Sequence, residues 1–155
     1  MPPRRRIDPA VGLLAYERVR AALQEMAATS QVLGDDVPPA LPAPGVAIPP
    51  AVSVAGVPRS ELATAVRFVL EELASRAPGG SVELRVPPFG VAQLLEGPRH
   101  TRGTPPNVVE TDPVTIVALV AGLLSWEESL ESGRLSASGA RSCLAPFFPV
   151  RGLER

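Results

Sequence analysis

The chain predicts an α+β domain preceded by an N-terminal helix and a proline-rich linker, and two observations carry that expectation. The hydrophobic period changes along the chain, from helical spacing after Ser60 to strict alternation over residues 82–86. The elements also come in blocks (helix, linker, helix, three strands, two helices, strand, tail) rather than in alternating crossover units. At 155 residues and 16.2 kDa there is enough chain for one domain with a core of its own plus flanking segments.

Asp8-Pro9 reads as a helix start, because a carboxylate accepts the first free amide hydrogens and proline needs no partner for its nitrogen. Leu13, Val19, Leu23 and Met26 follow at near-helical spacing, with Glu17, Arg18, Arg20 and Gln24 between them, which sets a first amphipathic helix over about 8–28. Residues 34–58, GDDVPPALPAPGVAIPPAVSVAGVP, are too dense in proline and glycine for a helix ladder or an interior strand and read as a linker or extended loop. Ser60 is the expected start of a second helix with an apolar stripe of Leu62, Val66, Val69, Leu70 and Leu73, opposed by Glu61, Arg67, Glu71, Glu72 and Arg76 and ended by Gly79-Gly80.

Val82, Leu84 and Val86 then alternate with Glu83 and Arg85 as a half-buried strand, closed by Pro87-Pro88. Phe89 to Glu96 and Asn107 to Thr111 are the next two strands. Asp112-Pro113 repeats the helix-start grammar and Gly122 stops that helix. Ser125 and Glu128, three apart, form a capping box for a short helix ended by Gly133. Leu135 and Ala137 share one face of a fourth strand, and Cys143 to Val150 is an apolar tail whose Phe147 and Phe148 dock on the core. The chain accordingly divides into an N-terminal helix (1–29), a linker (30–58), the α+β domain (59–150) and a tail (151–155).

Composition excludes several chemistries. The formal charge is −1 and all fifteen basic residues are arginine. No basic stripe suited to a phosphate backbone results, so a nucleic-acid partner is not expected; Arg4-Arg5-Arg6 reads as a solvated terminus. Without lysine there is neither a Schiff base nor a phosphate-loop lysine. The single cysteine, Cys143, cannot close an intramolecular disulfide or build a thiol-rich metal site, fits a reducing cytoplasm, and reads as a buried small apolar residue. Asp8, Pro9, Glu17 and Arg18 interrupt any signal-peptide core, and the longest apolar run, Val114 to Leu124, is far short of the roughly 20 residues of a membrane span. A cytoplasmic location is expected, with no cofactor and no metal.

The stretch EGPRHTRGTPPNVVETDP is where the chain departs from an ordinary apolar pattern. It carries the only histidine, His100, between Arg99 and Arg102, with Glu96, Glu110 and Asp112 nearby and four prolines. Three readings stand side by side: a rigid connection whose arginines and carboxylates satisfy one another; a clamp for an anionic head group, since the guanidinium fork suits carboxylate or phosphate; and a general base at His100 with Thr101 or Thr104 as nucleophile, around which no nucleophile-elbow pattern exists.

Together with VRFVLEELASRAPGGSVELRVPPF, Leu119, Gly122, Ser125-Trp126, Gly133 and LSASG, that stretch resembles the bacterial sterol carrier family, related to the type-two sterol carrier domain, over about residues 59–145. The resemblance implies a curved, largely antiparallel sheet with helices on one face, enclosing an apolar cavity; related domains bind sterols, fatty acids or acyl-CoA esters. A similar domain ends the mycothiol-dependent maleylpyruvate isomerase-like proteins, whose helical bundle carries three metal-binding histidines. This chain has one histidine, so no catalytic residue is assigned.

On the carrier reading, Arg99, His100 and Arg102, with Glu96, form a polar rim, and the ligand tail lies against Phe68, Leu84, Val91, Leu94, Val117 and Val120. The same apolar residues would equally make a filled core. In that case the first helix and the proline-rich arm would engage a protein partner or a second copy of the chain. Trp126 reads as a packing anchor.

Overall fold

The computed structural model describes residues 6–32, 56–98, 103 and 105–153. Most of the linker expectation therefore falls outside the described residues. Asp8 caps the first helix as expected, its Oδ1 accepting from the N–H groups of Ala10 at 2.9 Å and Val11 at 3.2 Å. Helix α1 runs Pro9–Val32, longer than the periodicity suggests, because residues 27–32 hold neither glycine nor proline to stop it. Its buried stripe is Gly12, Ala15, Tyr16, Val19 and Leu23. Leu13 is 38% exposed instead; six residues separate it from Val19, a rotation of about 240°, so the two cannot share a face.

Helix α2, Arg59–Arg76, lies antiparallel to α1. Glu71 accepts from the backbone N–H groups of Arg6 and Ile7, and Arg18 reaches Glu61 at 2.9 Å. Between these ends, a Cβ on Gly12 would fall 2.5–2.8 Å from three Phe68 side-chain carbons, so glycine is what lets the helices approach. Ser60 does not open α2. Pro58 does, extended at φ −59° and ψ 145°, its carbonyl accepting from Glu61 and Leu62 N–H, which leaves Ser60 inside the first turn. The helix ends at Arg76, before the glycine pair. Gly79 serves a different purpose: at φ 146° it lies against the Leu95–Glu96 backbone, where a Cβ would overlap Leu95.

Strands β1 (Val82–Val86), β2 (Gly90–Leu94), β3 (Val108–Thr111) and β4 (Leu135–Ser138) form one open sheet in the order β2-β1-β3-β4. The β1–β2 and β3–β4 pairs are antiparallel; the central β1–β3 pair is parallel, with Leu84 opposite Val109. The sheet is thus largely antiparallel, with a parallel seam. A parallel pair needs a long return connection, and β2 lies within it here. Strand β2 is shorter than expected because Phe89 belongs to the turn, its N–H bonded to the Val86 carbonyl, and Leu95 turns to positive φ.

Asp112 caps α3 (Pro113–Ala121), its Oδ1 accepting from Val114 and Thr115 N–H at 2.9 Å, and Gly122 closes the helix in the left-handed region. Ser125 and Glu128 complete the expected capping box of α4 (Trp126–Glu131). The helical faces, the inner face of the sheet and the C-terminal segment share one apolar cluster. That segment is tied to three helices: Val150 N–H donates to Val120 O, Arg76 Nη1 to Arg151 O, and the Tyr16 hydroxyl to Leu153 O. Phe147 and Phe148 pack on the cluster as expected, and Phe148 stacks on the buried Trp126 at 6.0 Å. Ala137, on the edge strand β4, is exposed, and Cys143 is exposed rather than buried.

Candidate functional site

Side-chain alternation sends Val82, Leu84, Val86, Ala92, Leu94, Val109, Thr111 and Leu135 to one face of the sheet, all of them buried. The opposite face is polar: Arg85 Nε donates to Glu83 Oε1 at 2.6 Å and Gln93 Nε2 to Glu83 Oε2 at 2.8 Å. All nine residues of α3 are buried, which its unbroken apolar sequence requires.

Phe68, Leu84, Leu94, Val117 and Val120 therefore come together in one cluster, each no more than 4% exposed. Val91 does not join them. It is 59% exposed and pairs with Arg85 on the polar face. Val91 and Leu94 are three residues apart on one strand, and odd spacing puts them on opposite faces.

Of the expected polar rim, Glu96 is exposed, while Arg99, His100 and Arg102 lie outside the described residues, as do Thr101 and Thr104. Both oxygens of Asp112 are engaged locally: the second accepts from the Thr115 hydroxyl at 2.6 Å and the first caps α3. Glu110 stands on the polar sheet face opposite Arg85 and Ser136. Among the described residues, no group of three or more His, Cys, Asp or Glu side chains is placed to hold a metal ion.

Asn107 is the residue that sequence reasoning missed. It is buried; its Nδ2 donates to Ser81 O at 2.8 Å, and its Oδ1 accepts from Arg141 N–H at 3.0 Å. One amide thus joins the approach to β1, the entrance to β3 and the turn after β4. Gly139 packs so closely on Asn107 that a Cβ there would overlap it, and Gly97, at the other end of the polar loop, lies under the Arg141 guanidinium. The available signal was an asparagine between a proline pair and a Val-Val run, a place where its side chain competes well for backbone groups.

The buried hydroxyls are also satisfied. Thr111 donates to Arg134 O, Ser129 to Ser125 O, Ser142 to Gly139 O and Ser81 to Glu96 O. The interior among the described residues thus combines aliphatic and aromatic groups with hydroxyls that are already hydrogen-bonded.

An open mixed sheet, helices on one face and this apolar interior define a small α+β domain of the sterol carrier type. The family described as "Bacterial SCP ortholog", a bacterial sterol carrier-like family, matches residues 58–150, and the chain belongs to it. No curated protein matches the chain. No helix among the described residues is long and apolar enough to cross a membrane.

Proposed function

We propose that the chain is a non-enzymatic carrier that binds a lipid or other small apolar ligand between its helices and its sheet, in the cytoplasm. The observation that carries this reading is the chemistry of the inner faces in a chain of the sterol carrier type: aliphatic and aromatic, with every described buried hydroxyl and amide already hydrogen-bonded. An alkyl chain entering there would meet no hydroxyl or amide needing water. In this proposal Phe68, Leu84, Leu94, Val117 and Val120 contact the tail, and Arg99, His100 and Arg102, with Glu96, form the polar rim at the loop that Asn107 anchors. Native mass spectrometry followed by lipid extraction tests it. A stoichiometric adduct releasing one lipid class is expected. A bare protein that takes up no added fatty acid, acyl-CoA or sterol would overturn the proposal.

A specific observation favours a second reading, an interaction module. Val11 and Leu14 are 57% and 52% exposed, and with Leu13 they leave apolar surface on α1 away from its buried stripe. On this reading α1 and the proline-rich arm engage a protein partner or a second copy. Sedimentation velocity of the wild type and of Val11→Ser/Leu14→Ser decides for self-association, which predicts a dimer for the wild type that the double variant loses.

A further inference from the structure

Buried polar groups among the described residues find partners, with one exception. The guanidinium of Arg20 on α1 has its Nε and Nη1 shielded from solvent and without a hydrogen-bond acceptor. A lysine or carboxylate so placed would shed its charge, but arginine does not deprotonate in proteins. The position of Arg20 narrows what would satisfy it. Residues 18 and 20 are about 200° apart on a helix, so they flank the buried stripe on opposite borders. The Arg18 border faces α2, where it pairs with Glu61 at 2.9 Å. The Arg20 border is the one from which Tyr16, one turn away, reaches the Leu153 carbonyl. Beyond it lies the C-terminal segment joined to α3 through Val150 and Val120. Arg20 thus stands at the margin of the apolar cluster, between Tyr16 and Leu23, with no carboxylate of the described residues paired to it.

We infer that Arg20 anchors the anionic head, carboxylate or phosphate, of a single-chain amphiphile whose tail enters the apolar cluster beside Tyr16, Val19 and Leu23. This rests on the carrier reading and names its ligand class. It also moves the head group from the polar loop to the N-terminal helix. The guanidinium fork accepts either anion in two-pronged geometry, and the flanking apolar side chains exclude the water that would otherwise weaken the pairing.

The experiment is displacement of a neutral fluorescent alkyl probe by dodecanoate, dodecyl phosphate and dodecanol, in the wild type, Arg20→Met and, as a control on the other border, Arg18→Met. In the wild type at least one anion should compete roughly tenfold better than the alcohol, the gain of one charge-assisted pairing. Arg20→Met should bring that anion down to the alcohol's level, and Arg18→Met should leave it unchanged. Which anion loses its advantage tells a carboxylate head from a phosphate head. Binding of all three without discrimination, or discrimination that survives Arg20→Met, would overturn the anchor while leaving the carrier reading standing. Failure of all three to bind would overturn both. The ligand-free proteins give an independent reading: Arg20→Met should melt at a higher temperature than the wild type, since an unsatisfied charge is replaced by a thioether of similar length. A lower melting temperature would mean that the arginine is already paired, and would sink the inference.

Discussion

Helices α1 and α3 reach burial by opposite routes. Helix α3 is short and apolar along its whole length, bounded by an aspartate cap and a left-handed glycine, and buried at every position. Helix α1 is far longer, buries a single stripe, leaves Val11 and Leu14 exposed, and carries the unsatisfied Arg20. Local sequence decides α3, whereas α1 is held by what it packs on: Phe68, Glu71 and Glu61 of α2 and Leu153 of the C-terminal segment. The seating of α1 therefore depends on residues distant in sequence.

Substitutions sharpen that contrast. The largest effect is expected in α3, where Leu119→Ala should cost about 3 kcal/mol and lower the denaturation midpoint of the whole domain by every probe. A loss confined to one spectroscopic signal would break the claim that α3 is central. Gly12→Val should cost about 2 kcal/mol by overpacking against Phe68, and its signature should be local. Hydrogen exchange is expected to rise in α1 while α3 and β1 keep their protection; uniform loss would show that α1 is no separate layer.

At the end of α4, Ser125→Ala should cost about 1 kcal/mol. The accompanying pH dependence is specific. Hydrogen bonds from the Ser125 backbone N–H, at 2.7 Å, and its hydroxyl hold the Glu128 carboxyl below its usual range, with burial opposing only slightly. A carboxyl lowered on folding stabilises above its ordinary pKa, and that stabilisation is lost as pH falls through the lowered value. Glu128→Gln should therefore flatten the acid limb of the melting curve against pH, and an unchanged limb would refute the capping role. The smallest effect is expected at Arg18→Ala, below about 0.5 kcal/mol, because the Arg18 side chain is largely exposed. A larger loss by urea titration would make that contact part of what seats α1.

Much of this arrangement was legible in the residues. Asp8, Asp112, Gly122 and the Ser125–Glu128 box all act as their positions predict, since caps depend on neighbours a few residues away. The alternation of β1 was equally plain because Glu83 and Arg85 mark its polar face. Failures occurred where the pattern was apolar throughout. Phe89 to Glu96 contains apolar residues in both phases, so alternation could not tell that Ala92 and Leu94 face inward and Val91 outward. Leu13 was drawn into a stripe it does not share for a similar reason, in a helix apolar on more than one side. Asn107 was invisible because its partners, Ser81 and Arg141, are distant in sequence. The expected rim at Arg99, His100 and Arg102 lies outside the described residues, whereas Arg20, read as an ordinary polar position of α1, emerged only from its surroundings.

The parallel pairing of β1 with β3 has a consequence for how the chain folds. The β1–β2 hairpin closes across only three residues. Leu84 must instead meet Val109 across an intervening strand and a proline-bearing loop, and that closure returns no contact until it is complete. The rate at which the domain folds should therefore depend on the length and stiffness of residues 95–107 more than on the strength of any strand. Lengthening that loop with glycine and serine should slow refolding while scarcely altering the rate of unfolding.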